Sequence, residues 1–281
     1  MRKAPGIKPK KASRISKRAP RLYKRPLIIG HRGFSEIAPE NTLPSFRLAL
    51  KAGADFVELD YQETRDGVAV VFHDATLDRT TDVRKRWSGR RFKVSEHTAA
   101  QIRNLDAGSW FGPAFAGTPV PRLSEAVCTI VRGGGRAVIE RKSGSAARCV
   151  KLLARRAIIK QCILISFDWS FLAEVHALND GIRLGALGPP SRLANGKKRS
   201  FKHWPPGRSC LQDLQRTGAS ILVWNARISG NVVKMVHAAG FQVWVYTVDN
   251  RSTAARMMRA GVDGLITNRV EFISKTMHSF C

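Results

Sequence analysis

The sequence predicts a parallel α/β fold closed into a (β/α)8 TIM barrel, on three observations. Short apolar runs alternate with helix-like segments over about 250 residues, the pattern of parallel strands joined by crossover helices. The chain has 281 residues, 43% of them hydrophobic, enough for one sizeable core at a length usual for such barrels. Nine strand candidates are present, and two of them are too close together to be parallel neighbours, which leaves eight staves. A doubly wound open sheet is the alternative arrangement of the same alternation.

Strand candidates lie at 26–30 (PLIIG), 55–61 (DFVELDY), 68–73 (VAVVFH), 136–140 (RAVIE), 162–167 (CILISF), 182–187 (IRLGAL), 220–225 (SILVWN), 241–248 (FQVWVYTV) and 264–267 (GLIT). Between them run helix-like segments. In LPSFRLALKAG, Phe46, Ala49 and Leu50 share a face and Gly53 can end the helix. SEHTAAQIRNL, LSEAVCTIVRGG, NVVKMVHAAG and STAARMMRAG follow the same pattern, Ser or Asn opening most of them and Gly closing the last three. Only TRDG separates the second and third strands, whereas a parallel crossover needs a dozen or more residues. They must form an antiparallel hairpin, with 68–73 an extra strand. Residues 75–121 lack a strand candidate and read as a small insertion after the hairpin, capping one end of the barrel.

Charge divides the chain unevenly. Residues 1–25 hold 11 Lys/Arg and no acid, and the whole chain carries +27. This stretch has no apolar run, so it reads as a disordered basic tail ahead of a single domain at 26–281. It lacks the hydrophobic segment of a secretory signal, and no stretch approaches the ~20 apolar residues of a membrane span. Cys128, Cys149, Cys162, Cys210 and Cys281 are scattered, without a CxxC pair, and read as reduced thiols of a cytoplasmic protein.

The chemistry concentrates in VELDYQETRDGVAVVFHD, residues 57–74. Burying two carboxylates costs several kcal/mol unless something pairs with them. Period two puts Glu58 and Asp60 on one face. A four-residue TRDG turn would pair 63 with 68, bringing His73 directly opposite Glu58. Two readings are open: the acids face outward and pair with the many arginines, or they face inward onto a hard cation such as Mg2+ or Ca2+. Other pieces favour the second. His31-Arg32-Gly33 follows the first strand, where barrel enzymes place functional groups, and Arg32 offers a planar fork suited to phosphate. The 136–140 strand ends in Glu140-Arg141-Lys142, with Glu140 and Lys142 on one face.

HRGFSEIAPENTLPSF, GADFVELDYQETRDGVAVVFHDATLDRTT, LDAGSWFGPAFAGTPVPRLSEA, ERK at 140–142, ISF at 165–167 and GVDGLITN at 261–268 resemble the glycerophosphodiester phosphodiesterase family over residues 27 to 270. The resemblance implies a (β/α)8 barrel with an insertion after the His-Asp pair. It implies His31 and His73 as the general acid/base pair, Glu58, Asp60 and Glu140 as ligands of a divalent metal, Mg2+ or Ca2+, and Arg32 and Lys142 as phosphate-holding groups. Glu40 and Asn41 fall in its PENT segment, in a supporting role. Hydrolysis of glycerophosphodiesters to sn-glycerol 3-phosphate and an alcohol is the implied reaction. The chain departs from the family pattern at Arg141, where an aliphatic residue is frequent, at Tyr246, where Trp is, and at Asn268, where Asp is common.

Two alternatives accompany this reading. A lysophospholipase D would need an apolar groove at the barrel mouth, for which Tyr246, Trp244 and Trp110 are candidates. A basic protein could hold nucleic acid or an anionic membrane through residues 1–25, helped by RKR 84–86, RRFK 90–93 and KKRSFK 197–202. Trp87, Phe92, Phe201 and Trp204 near those clusters read as packing residues, since no nucleic-acid-binding motif accompanies them.

Overall fold

A computed structural model of the protein describes residues 25–155, 158–198 and 206–279. Residues 1–24 of the basic tail, Phe201, Trp204 and Cys281 lie outside the described residues, as does most of the 197–202 cluster. Eight parallel strands close a barrel: β1 (Leu27–Gly30), β2 (Phe56–Glu63), β4 (Arg136–Arg141), β5 (Cys162–Ser166), β6 (Arg183–Gly188), β7 (Ile221–Asn225), β8 (Gln242–Tyr246) and β9 (Gly264–Thr267). Strand β1 closes the circle by pairing with both β2 and β9. The ninth strand, β3 (Ala69–Val71), hangs antiparallel on β2, so the excess strand falls where the short turn required it.

Helices α1 (Leu43–Lys51), α4 (Leu123–Arg132), α5 (Ala146–Arg155), α6 (Trp169–Leu178), α7 (Arg208–Arg216), α8 (Gly230–Ala238), α9 (Arg251–Ala260) and α10 (Val270–His278) lie in the outer layer. Ser229 and Asn250 cap α8 and α9, and Gly261 ends α9 in the left-handed conformation. In the 95–105 segment the helix, α3 (Ala99–Arg103), begins later than Ser95. There Thr98 and Gln101 form a reciprocal capping box, which satisfies two backbone N–H groups at once.

Alternation along the strands sorts their side chains into two cores. Ile28, Val57, Leu59, Ala137 and Ile139 pack outward against the helices. Leu27, Ile29, Phe56, Val138, Ile163, Ile221, Val223 and Trp244 fill the barrel interior. The inner column of β2 therefore reads Phe56, Glu58, Asp60, Gln62, and that of β4 reads Val138, Glu140. The register sets Asp60 beside Glu140 near the carboxyl ends of the strands, the barrel end where catalytic groups collect.

Residues 75–121 hold no sheet strand. They carry α2 (Val83–Arg86), α3 and two single 3-10 turns around a core of Leu77, Val83, Phe92, Val94, Ile102 and Leu105 that Val70 and Phe72 of the hairpin complete. Three residues of the basic clusters here are paired locally: Arg84 with Asp78, Arg86 with Asp82 and Lys93 with Glu96. Trp87 stacks on His97 and packs edge-on against Phe92, a packing role as expected. Of the tail only Arg25 is described, and it forms a two-point ion pair with Asp55. Among the described residues no helix is long and apolar enough to cross a membrane. Cys128, Cys149 and Cys162 are free thiols.

Candidate active site

The carboxylates of Glu58, Asp60 and Glu140 converge, each offering an oxygen within 4.8 Å of the others. All three are buried. Their surroundings differ, and the differences show what the site lacks. Asp60 is satisfied: Asn41 Nδ2 donates to it at 2.8 Å, Lys142 Nζ lies at 3.1 Å and Arg32 Nε at 3.4 Å. Although burial opposes ionisation, Lys142 and Arg32 hold its carboxyl below the usual range. The Glu140 carboxylate accepts from Lys142, and burial together with the charge of Asp60 pushes it up to about 7. Glu58 accepts from the Arg32 backbone N–H at 2.8 Å through one oxygen, while the other is buried with no partner. Burial and the neighbouring Asp60 and Glu140 raise its pKa well above the ordinary value. An unpartnered carboxylate oxygen among acids is a costly arrangement. Three hard oxygen donors from two adjacent strands suit a divalent cation, which would supply the missing partner.

The turn after β1 builds the other side. Arg32 and Asn41 both sit at positive φ, 56° and 59°. Asn41 N–H donates to Arg32 O at 3.0 Å, while the Asn41 side chain grips Asp60 at both its carboxylate and its backbone N–H. Gly33 is required between them: its φ is +90°, and a Cβ there would lie 2.1 Å from Ser45 Oγ. Asn41 thus has the supporting role expected of it. Glu40 accepts from Arg32 at 2.8 Å and from Arg79 at 2.7 Å. Despite burial, the Arg79 and Arg32 bonds lower its pKa.

The hairpin differs from its expected register. Gly67 adopts φ +72°, Thr64 N–H donates to Val68 O at 3.0 Å, and Val68 N–H donates back to Thr64 Oγ1 at 3.1 Å. The loop is therefore three residues, 65–67, and Glu63 pairs with Ala69 rather than Val68. That one-residue slip removes the predicted pairing of Glu58 with His73. His73 reaches the site differently, because the chain leaves the ladder after Val71. Gln62 Nε2 then holds the departing segment by donating to Phe72 O at 3.1 Å and Asp74 O at 2.5 Å. Gln62 went unnoticed in the sequence, although it continues the inward column of Glu58 and Asp60.

His31, Arg32, Glu58, His73, Glu140 and Lys142 line one cavity of about 240 Å3, with Ile165, Phe167, Leu187, Tyr246 and Ile266 on its apolar wall. Asp60 lies beneath, bound to Asn41, Lys142 and Arg32. All seven predicted site residues are thus brought together. Arg141 points away, donating to Gly144 O and pairing with Asp168 at 3.1 Å. Of the three aromatics considered for a groove, only Tyr246 lines the cavity. Trp244 is fully buried against Phe56 in the barrel interior, and Trp110 lies in the insertion, edge-on to Phe111.

Both histidines are anchored through Nδ1: His31 to Asn268 Oδ1 and His73 to Asp74 Oδ1, each at 2.7 Å. Burial and the adjacent Arg32 charge lower the pKa of His31, which favours its neutral form. Burial opposes ionisation of Asp74, but bonds from Arg79 and His73 hold it down at about 2, so it stays an anion beside His73.

The chain is similar to known proteins in sequence and in fold. The model of the glycerophosphoryl diester phosphodiesterase family matches residues 31–272. A glycerophosphodiester phosphodiesterase of Caldanaerobacter subterraneus subsp. tengcongensis is 32% identical over 251 residues, covering 87% of this chain and 95% of that protein. One from Bacillus subtilis is 31% identical over 275 residues, covering 90% and 87%. Among solved structures, an Oleispira antarctica phosphodiesterase in complex with the product sn-glycerol-3-phosphate superposes with a TM-score of 0.77 at 26% identity, over 90% of this chain and 97% of that one. The family match over residues 31–272, with relatives above 30% identity aligned over most of both chains, makes the chain a member of the glycerophosphoryl diester phosphodiesterase family.

Proposed function

We propose that the protein hydrolyses glycerophosphodiesters to sn-glycerol 3-phosphate and an alcohol, with His31 and His73 transferring protons and Glu58, Asp60 and Glu140 holding Mg2+ or Ca2+. The observation that carries this reading is the buried, unpartnered Glu58 oxygen at the centre of an acid cluster, beside two histidines anchored at Nδ1. A divalent cation at these carboxylates would offset negative charge on the phosphoryl oxygens. Arg32 and Lys142 line the cavity next to the acids and present cations to the same oxygens. His31, held neutral beside Arg32, takes the proton of the attacking O–H group. His73, balanced by the Asp74 carboxylate, gives one to the departing alcohol.

The cavity volume, about 240 Å3, is below the roughly 300–1,000 Å3 of sites that enclose drug-sized ligands. This favours a small glycerophosphodiester over a lysophospholipid. Buried free thiols at Cys149 and Cys162 agree with a reducing, cytoplasmic setting. The test is turnover of glycerophosphocholine by His31→Ala and His73→Ala, with folding checked by circular dichroism. Each variant should lose at least about 10²-fold in kcat, the contribution typical of a positioned acid or base. Turnover at the wild-type rate in either variant removes that histidine from the reaction. Faster turnover of lysophosphatidylcholine than of glycerophosphocholine would overturn the substrate.

A further inference from the structure

Behind His31 runs a chain of polar side chains that comes from three different loops. His31 Nδ1 lies 2.7 Å from Asn268 Oδ1, and Asn268 Nδ2 lies 2.7 Å from Asp249 Oδ2. The other Asp249 oxygen accepts from the Asn268 backbone N–H at 2.8 Å and from Thr267 Oγ1 at 3.1 Å. Ser35 Oγ donates to Asn268 Oδ1 at 2.8 Å.

The chain has one possible direction. A carboxylate only accepts, so the Asn268 atom facing Asp249 must be the amide NH2. The atom facing His31 is then the carbonyl oxygen, which also only accepts. Nδ1 of His31 must therefore carry the hydrogen, and the neutral ring is left with its lone pair on Nε2. Ser35 cannot impose this order, because a hydroxyl serves an amide in either orientation. A carboxylate two links away selects the histidine tautomer.

We propose that Asp249 and Asn268 are positioning residues that lock His31 in the Nδ1–H tautomer and so make its Nε2 the proton acceptor of the reaction. This inference rests on the reading of His31 as a proton-transfer group. The amide in the middle passes on orientation without placing a second carboxylate beside Asp249 or a negative charge against the imidazole.

The test uses isosteric exchanges. In Asp249→Asn the oxygen of the new amide still takes the Asn268 and Thr267 donors, so its NH2 faces the Asn268 side chain. Asn268 must then turn its oxygen to residue 249 and its NH2 to His31, which reverses the tautomer. The double variant Asp249→Asn/Asn268→Asp restores the original direction, since the residue-249 amide donates to a carboxylate that accepts from His31. Nitrogen-15 NMR of imidazole-labelled protein, with the His31 signals identified by their loss in His31→Ala, reads the tautomer directly. Glycerophosphocholine turnover reads its consequence.

Asp249→Asn should move the His31 hydrogen to Nε2 and lower kcat by about 10²-fold with KM little changed, and the double variant should recover both. An unchanged nitrogen-15 pattern in Asp249→Asn, with or without a fall in kcat, overturns the relay. So does a double variant no better than the single one. Full turnover by His31→Ala would instead remove the underlying proton-transfer reading, so the two failures are distinguishable.

Discussion

Glu140 offers the most direct measurement of what the acid cluster costs in the absence of a cation. Its carboxyl titrates at about 7 instead of 4.5, because burial and Asp60 oppose its charge more than Lys142 favours it. Between those pH values the folded protein holds a proton that the unfolded chain has released. Stability then falls as pH rises, since the slope follows the excess of protons bound in the unfolded state and that excess is negative here. The contribution is fully present below about 4.5 and is lost as pH passes about 7. The separation of the two values corresponds to roughly 3 kcal/mol. In a protein of this size it becomes a shift of roughly 5–10 °C in Tm. Other groups also bind protons differently in the folded and unfolded states, among them His31, whose pKa burial and Arg32 lower, so the informative quantity is a difference. Wild type and Glu140→Gln are unfolded thermally in a chelator at pH values spanning 4 to 8. Wild type should lose stability relative to Glu140→Gln by about 3 kcal/mol as pH rises. A gap that stays constant, or a wild type that gains on the variant, would refute the account of the cluster as an uncompensated set of acids.

Two further outcomes follow from the same geometry. Mg2+ or Ca2+ should raise Tm at pH 7.5 and fail to do so in Glu58→Gln; at a hundredfold excess over Kd the gain is about 3 kcal/mol, and equal shifts in both proteins would place the ion elsewhere. Gly33→Ala should destabilise the fold by at least ~2 kcal/mol and lower activity, because a Cβ cannot fit against Ser45 at φ +90°; an unchanged denaturation midpoint would show that the turn can move.

The staves were legible in the sequence because their periodicity is local. Period two along DFVELDY already sets Glu58 and Asp60 on one face, and Val57 and Leu59 on the other. The hairpin was legible too, since four residues cannot make a crossover. Its register was not, because it depends on whether Gly67 takes a left-handed φ, and TRDG allows both a four-residue and a three-residue loop. Arg79 and Asp249 escaped notice for a different reason. Each acts from a loop through a partner far away in the chain, Arg79 on Glu40 and Asp249 on the Asn268 that anchors His31. Nothing in the local pattern distinguishes such residues from the many other loop charges. Trp244 shows the converse: an aromatic in an apolar run looks the same whether it lines a mouth or fills a barrel.

The charges at the mouth explain why one arrangement serves both the cation and the substrate. Glu58, Asp60 and Glu140 face Arg32 and Lys142. With all five ionised, one negative charge is left over at a site meant for a phosphodiester anion. Burial and that excess together raise the pKa of Glu58 and of Glu140. A divalent cation would reverse that sign, turning a pocket that repels the substrate into one that attracts it. Beside it, Glu40 and Asp74 share Arg79, which leaves one carboxylate charge without a cation of its own next to His73. In the proposed mechanism that charge stands beside the proton donor, His73, while burial and Arg32 lower the pKa of the proposed acceptor, His31.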